Sequence, residues 1–287
     1  MEKKVQEYLT YLSPEFIYIP FDKKENLDLP KNGLVYFNTH LGIKEDNKNI
    51  FSPVSGKIIG IKQMIFNDGV KNCLLIENDF MDKREKLNPT LNINKMKKTQ
   101  IIELLTKYGL NKKINSKTIL VVDSFYDKKY DLKDMVINYE FYEEILEAID
   151  EFMQIFNMKN CYIHIDDDDL YSHHAYEKYI NAFFNICIVK SNKKIKSDLC
   201  VHYTVEEILA IHKAIHQDYM YDNTIITINN EKPLIVKVKL YTSLYELLKV
   251  LKISIKNKNV FINKKQIDNI DEFIIDSSIR SIVIKDK

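Results

Sequence analysis

A chain of 287 residues with 45% apolar side chains has room for two or three modest domains with real cores. Its 42 basic and 41 acidic residues leave a formal charge of +1, which gives no electrostatic reason to expect nucleic acid as a partner. Six glycines in all, and no G-x-x-x-x-G-K-[ST], G-x-G-x-x-G or G-x-S-x-G, set aside P-loop, dinucleotide-fingerprint and nucleophile-elbow chemistry.

The first residues, Met1-Glu2-Lys3-Lys4-Val5-Gln6-Glu7, lack the apolar centre of a signal peptide, and no apolar run reaches the roughly 18 residues of a membrane span. A soluble cytoplasmic protein is expected. Residues 1–30 contain Pro14, Pro20 and Pro30 and read as an extended leader with one short strand, Phe16 to Ile19. Short strands follow over 31–80: Leu34 to Phe37, the run Ile50 to Ile61 around Ser52-Pro53-Val54-Ser55-Gly56, and Cys73 to Glu77. Asn67-Asp68-Gly69 supplies a hairpin turn before the last of these. A polar, Lys-rich link from Asp79 to Thr99 leads to a helix over Gln100 to Tyr108, closed by Gly109.

Buried strands at Thr118 to Val122, Cys161 to Ile165 and Ile186 to Val189 then alternate with helices at Asn138 to Asn157 and Ser172 to Phe183. That succession predicts a mainly parallel α/β sheet. Thr204 to His216 is a helix with Thr204 as N-cap and Glu206 and Glu207 in its first turn. The tail gives strands at Thr224 to Ile228 and Leu234 to Val238, a helix at Ser243 to Leu251, and strands at Val260 to Ile262 and Ser281 to Ile284. This is the pattern of a β-grasp.

Candidate chemistry is sparse. Cys73, Cys161, Cys187 and Cys200 are scattered with no C-x-x-C pair, so buried reduced thiols are expected rather than an iron–sulfur cluster. Asp166-Asp167-Asp168-Asp169 directly follows a strand and reads as a solvated loop and helix start, although His173 and His174 come next. His212 and His216 share a helix face, but a zinc-protease motif would need Glu at 213, where Lys213 stands. They read as an incidental pair, and no metal is expected.

The segment Ile50-Phe51-Ser52-Pro53-Val54-Ser55-Gly56-Lys57 resembles the S-P-V-S-G turn in the lipoyl-like sandwich of the Rnf electron transport complex C subunit. Soluble relatives of that family include the proline-reductase-associated electron transfer protein, and the flavin subunit of respiratory complex I is a further relation. The stretch from Val205-Glu206-Glu207-Ile208 through Asn223-Thr224-Ile225-Ile226-Thr227-Ile228 resembles the family's helix entering its soluble-ligand-binding β-grasp (SLBB) module. The resemblance covers most of the chain and implies an α/β fold with flanking β modules. These are a lipoyl-like sandwich over 31–80, a degenerate flavin-subunit-like α/β domain over 97–220 and an SLBB-like β-grasp over 222–287.

Departures from the family fall where its chemistry lies. The G-x-G-G-A loop that approaches the flavin phosphate is replaced after Gly109 by Leu110-Asn111-Lys112-Lys113-Ile114-Asn115. In place of N-G-x-E-C-E-P-Y stands Asp123-Ser124-Phe125-Tyr126-Asp127-Lys128-Lys129-Tyr130, with Tyr126 and Lys128 at the acidic positions, and the ferredoxin region has no counterpart before Lys287. The expectation is an accessory or scaffold component that docks on an electron-transfer partner, peripheral to a membrane at most, without cofactor or independent catalysis. Two alternatives are an NADH-linked flavoprotein holding FMN through Asn111, Lys117, Asp123 and Tyr130, and a small-ligand-binding protein at the carboxyl ends of the α/β strands near Asp123 and Asp166.

Overall fold

A computed structural model describes residues 8–85, 96–114, 117–124, 131–191, 193–230 and 233–287. The chain opens with β1 (Tyr8–Tyr11), β2 (Phe16–Phe21), β3 (Leu34–Val35), β4 (His40–Ile43), β5 (Asn49–Phe51), β6 (Gly56–Phe66) and β7 (Gly69–Asn78). There follow α1 (Lys98–Lys107), β8 (Ile119–Ser124), α2 (Lys133–Glu140), α3 (Tyr142–Phe156), β9 (Asn160–Ile165), α4 (Leu170–Glu177), β10 (Ile186–Lys190), β11 (Cys200–Thr204) and α5 (Val205–Gln217). The last stretch holds β12 (Asn223–Asn229), β13 (Pro233–Lys239), α6 (Leu244–Val250), β14 (Lys258–Ile262), β15 (Lys265–Ile267) and β16 (Ser281–Asp286). The result is a mixed α/β protein with several sheets, and among the described residues no helix is long and apolar enough to cross a membrane.

Two compact units divide the chain. The first takes the described residues of 1–86, 128–131 and 222–287; the second takes those of 87–127 and 132–221.

In the first unit, β2-β7-β6-β3 is an antiparallel sheet. The β6–β7 hairpin closes over Asn67-Asp68, and Gly69, at φ +133°, supplies a backbone conformation that side chains disfavour. Alternation along the strands turns Ile17, Ile19, Leu74 and Ile76 to one face, where Leu41 of β4 and Ile50 of β5 complete an apolar core. The Ser52 to Gly56 turn leads from β5 into β6, and its polar groups are satisfied within the unit. Ser52 Oγ donates to the Val54 carbonyl at 2.7 Å, and Ser55 Oγ donates to Asp79 Oδ1 at 2.5 Å.

The same unit contains a sheet of order β1-β13-β12-β16-β14-β15. β12 and β13 form an antiparallel hairpin, β16 returns parallel to β12, and β14 pairs antiparallel with β16. Leu244, Leu247 and Leu248 of α6 pack on Ile226, Val236, Val260 and Ile282. Four strands absent from the sequence reading appear: β15 and β1 in this sheet, the latter parallel to β13 and drawing in the N-terminal segment, β4 beside β5, and β11 in the second unit.

The second unit is built on a fully parallel sheet of order β10-β9-β8-β11, as the continuous apolar runs imply. Thr204 caps α5 with a capping box: its Oγ1 accepts from the Glu207 N–H, and Glu207 Oε2 accepts from the Thr204 N–H. Two helices differ from expectation. The single helix read over Asn138 to Asn157 is α2 and α3, separated at Phe141 (φ −128°, ψ 27°). The residues Lys133 to Asn138 of α2 are buried on every side, so no amphipathic period marks that helix in the sequence. The helix read over Ser172 to Phe183 begins at Leu170, capped by Asp169, which accepts from the Ser172 N–H, and gives way to a 3₁₀ turn at Ile180–Ala182.

Candidate functional site

Strand order alone marks one place in the second unit. The chain runs outward through β8, β9 and β10, then returns to lay β11 on the free side of β8. A parallel sheet that reverses in this way opens a crevice at the carboxyl ends of the two strands flanking the reversal, here β8 and β11.

Three polar side chains meet there on one face. Asp123 is paired in register with His164, and His202 lies two residues before the Asp123 partner Thr204, so all three point to the same side of the sheet. Asp123 Oδ2 stands 2.7 Å from His202 Nδ1, and Oδ1 stands 3.4 Å from Nδ1 of the fully buried His164. His164 Nε2 lies 3.1 Å from the Ser191 carbonyl, which can only accept, so that nitrogen carries a proton. By the same logic His202 Nδ1 donates to Asp123, and Nε2 is the ring nitrogen that does not face the carboxylate. A carboxylate that fixes a half-exposed imidazole in this manner prepares it to accept a proton or a ligand group. Among the described residues no serine or cysteine is hydrogen-bonded to His202, so the arrangement lacks the nucleophile of a triad.

The opposite face of the sheet is sealed. Asn138 of α2 donates to Ser124 Oγ at 2.7 Å and Ser172 Oγ at 3.0 Å and accepts from Tyr176 at 2.7 Å, all four residues being fully buried. Phe152 of α3 packs edge-on against Tyr203. On this face too, Lys112, stacked on the Tyr203 ring, bonds Glu207 Oε2 at 2.7 Å and the His202 carbonyl at 2.8 Å, and Glu206 pairs with buried Lys133 at 2.6 Å.

Of the residues named from sequence for a flavin site, Asp123 alone lies in this crevice. Asn111 donates to Thr106 Oγ1 at 3.0 Å in the loop after α1. Lys117 precedes β8 and donates to the Asp198 carbonyl, at the other end of the strand and about 20 Å from Asp123 at the ordinary rise per residue. Tyr130 lies outside the described residues.

A second polar group sits between α3 and α5. Glu147 and Glu151 of α3 face His212 and His216 of α5, with Nε2 to carboxylate distances of 3.0 Å for Glu147 to His212 and 3.0 Å for Glu151 to His216. Ligand atoms of Glu147, His212 and His216 all lie within 4.8 Å of one another, the one such group of His, Cys, Asp and Glu among the described residues. Burial lowers the His212 pKa and raises that of Glu151, favouring the neutral form of each. The histidine spacing was visible in the sequence, but its partners are on another helix some 65 residues away.

No family model matches the chain, and no curated protein does. Among solved structures it is similar to a chain of an NAD+-reducing [NiFe]-hydrogenase in the H2-reduced state, with 8% identity and a TM-score of 0.47. The match covers 70% of this chain and 49% of that one, so the chain spans about half the length of this neighbour. Likeness at that level assigns no activity.

Proposed function

We propose that the protein is an accessory component of an electron-transfer assembly, similar in scaffold to the Rnf C subunit, which docks on a redox partner and carries no redox centre of its own. The observation that carries this reading is the occupied N-terminus of α5, which follows β11 directly. A flavin phosphate at such a place needs unoccupied backbone N–H groups and the positive end of a helix. Here the first turn of α5 already holds Glu206 and Glu207, Glu207 fills the cap, and Lys112 is committed to Glu207. A phosphate would meet two carboxylates at the point of closest approach. The sheet order β13-β12-β16-β14-β15 around α6 supports reading the C-terminal segment as a β-grasp of SLBB type, and the core shared by β4, β5 and the first sheet supports a lipoyl-like sandwich. On this reading the protein works in the cytoplasm, reaching a membrane only through its partner.

The Asp123 to His202 bond favours a second reading, a small ligand received at His202 Nε2. Two measurements separate these from an active flavoprotein. Protein purified from its own cells should show no flavin absorbance and should bring down a redox protein; a stoichiometric flavin spectrum, or failure to retain any redox protein, overturns the scaffold reading. A colourless protein whose thermal stability rises with a metabolite, an effect lost in H202A, supports the second.

A further inference from the structure

We propose that Glu147, Glu151, His212 and His216 form a divalent-cation site of the zinc class that ties α3 to α5. Each helix supplies its two donors four residues apart, on one face, and the pairs Glu147 to His212 and Glu151 to His216 advance along both helices in the same direction. The two imidazole rings lie 4.3 Å apart at 31°, an arrangement that two imidazolium charges would oppose and that two neutral ligand rings accept. Two isolated ion pairs would not need a ligand atom from each of Glu147, His212 and His216 to gather within 4.8 Å.

The donor set, two imidazole nitrogens and two carboxylate oxygens, suits a borderline cation better than magnesium or calcium, which take oxygen ligands. Tetrahedral zinc with bonds of about 2.0–2.1 Å places neighbouring donors roughly 3.3 Å apart, so each 3.0 Å pair opens by a few tenths of an ångström, and the wider spacings among Glu147, His212 and His216, up to 4.8 Å, close by up to about 1.5 Å to take the ion. Glu147 is half exposed, which leaves it room to swing onto the metal. Glu147, His212 and His216 already stand together as three donors, and Glu151, 3.0 Å from His216, is the adjacent carboxylate that would close the sphere, giving a structural ion that ties α3 to α5.

The test uses the full chain, stripped of metal by chelator and titrated with zinc chloride by calorimetry and with cobalt(II) by visible absorption. One equivalent should bind, cobalt should show the intense visible bands of a four-coordinate site, and the melting temperature should rise with zinc and fall back on adding chelator. The double variant H212A/H216A should lose stoichiometric binding. E147Q, a change at a half-exposed helix position that leaves the fold intact, should weaken binding at least 10–100-fold, and H173A/H174A should bind as the parent does. Absence of stoichiometric binding by the parent, or binding undiminished in both H212A/H216A and E147Q, overturns the proposal. Neither result depends on whether flavin or a redox partner is found.

Discussion

Replacing Gly56 by alanine tests the reading of the Ser52 to Gly56 turn as a packing device. A Cβ at Gly56 would lie 2.0 Å from the Glu77 carbonyl oxygen, 3.0 Å from the Glu77 carbonyl carbon and 3.2 Å from the Asn78 Cα, all backbone atoms of the neighbouring strand. Ordinary contact begins near 3.4 Å, so β6 and β7 must part by more than an ångström where Gly56 pairs with Asn78. Overpacking of this kind costs about 1–3 kcal/mol, and each ladder hydrogen bond lost adds about 1 kcal/mol. A total of about 3–5 kcal/mol is expected, a large share of the roughly 5–15 kcal/mol that holds a domain together. Gly60, on the same strand, has nothing within 4 Å of its would-be Cβ, so G60A should be neutral or stabilising by up to about 1 kcal/mol. Amide exchange in the β6 and β7 peptides reports the difference without assuming that the two units unfold together. At about 1.4 kcal/mol per tenfold, exchange in G56A should be faster than in G60A by about three orders of magnitude. Rates within a factor of about three would refute the packing argument.

Three further outcomes follow from the same geometry. N138A removes both donors to Ser124 and Ser172 and the acceptor for Tyr176 in a fully buried setting, and should destabilise the second unit by about 2–4 kcal/mol in urea unfolding; a loss under about 0.5 kcal/mol would mean the network contributes nothing. Of the four cysteines only Cys187 is exposed, and burial pushes the Cys73 thiol up to about 12, so a disulfide reagent at neutral pH should label one thiol in the native chain and four in denaturant. More than one rapidly labelled native thiol would contradict the burial of the others. Acid should weaken the first unit through three carboxyls held below their usual range. Lys48 lowers Asp46 and Lys71 lowers Asp68; at Asp79 burial acts upward but is outweighed by the Ser55 hydroxyl and the Met81 N–H. Because the folded values lie below the unfolded ones, the unfolded chain takes up more protons, so this stability is present above about pH 4 and lost below it. D79N should flatten that acid limb in denaturation curves collected from neutral to low pH; an unchanged slope would exclude Asp79 as a contributor.

What the sequence makes legible follows the range of the interactions involved. Strands β8, β9 and β10 of the parallel sheet are apolar runs, α5 carries its start signal in Thr204 and Glu207, and the β6–β7 turn is written in Asn67-Asp68-Gly69; each of these is local, whereas β11, with His202 and Thr204 in five residues, escapes the reading. The start of α2 escapes because Lys133 to Asn138 are buried on every side and show no apolar period. The pairing of β1 with β13 escapes because Tyr8 meets Ile235 across most of the chain. Asp123 was visible as a strand-end acid, but its partners His164 and His202 come from two other strands, and a period of two in each strand says nothing of which strands are neighbours. Glu147 and Glu151 read as ordinary polar positions of an amphipathic helix until α5 is laid beside them.

The same distinction separates scaffold from chemistry in this protein. The residues that most resemble an electron-transfer family, Ser52 to Gly56, are buried, and both hydroxyls are satisfied within their own unit, one by the Val54 carbonyl and one by Asp79. Gly56 stands where any side chain would strike the Glu77 backbone. Packing and hydrogen bonding within its own unit account for Ser52, Ser55 and Gly56 of that turn. Imidazoles able to take a proton or a metal lie instead in the second unit, at the end of β11 and along α5. A function retained by the turn and a function built by the histidines are therefore separable by mutation. Under the proposed docking on a redox partner, G56A should lose docking while zinc binding by the second unit persists, and H212A/H216A should lose zinc binding while docking persists; loss of both properties in either variant would refute that separation.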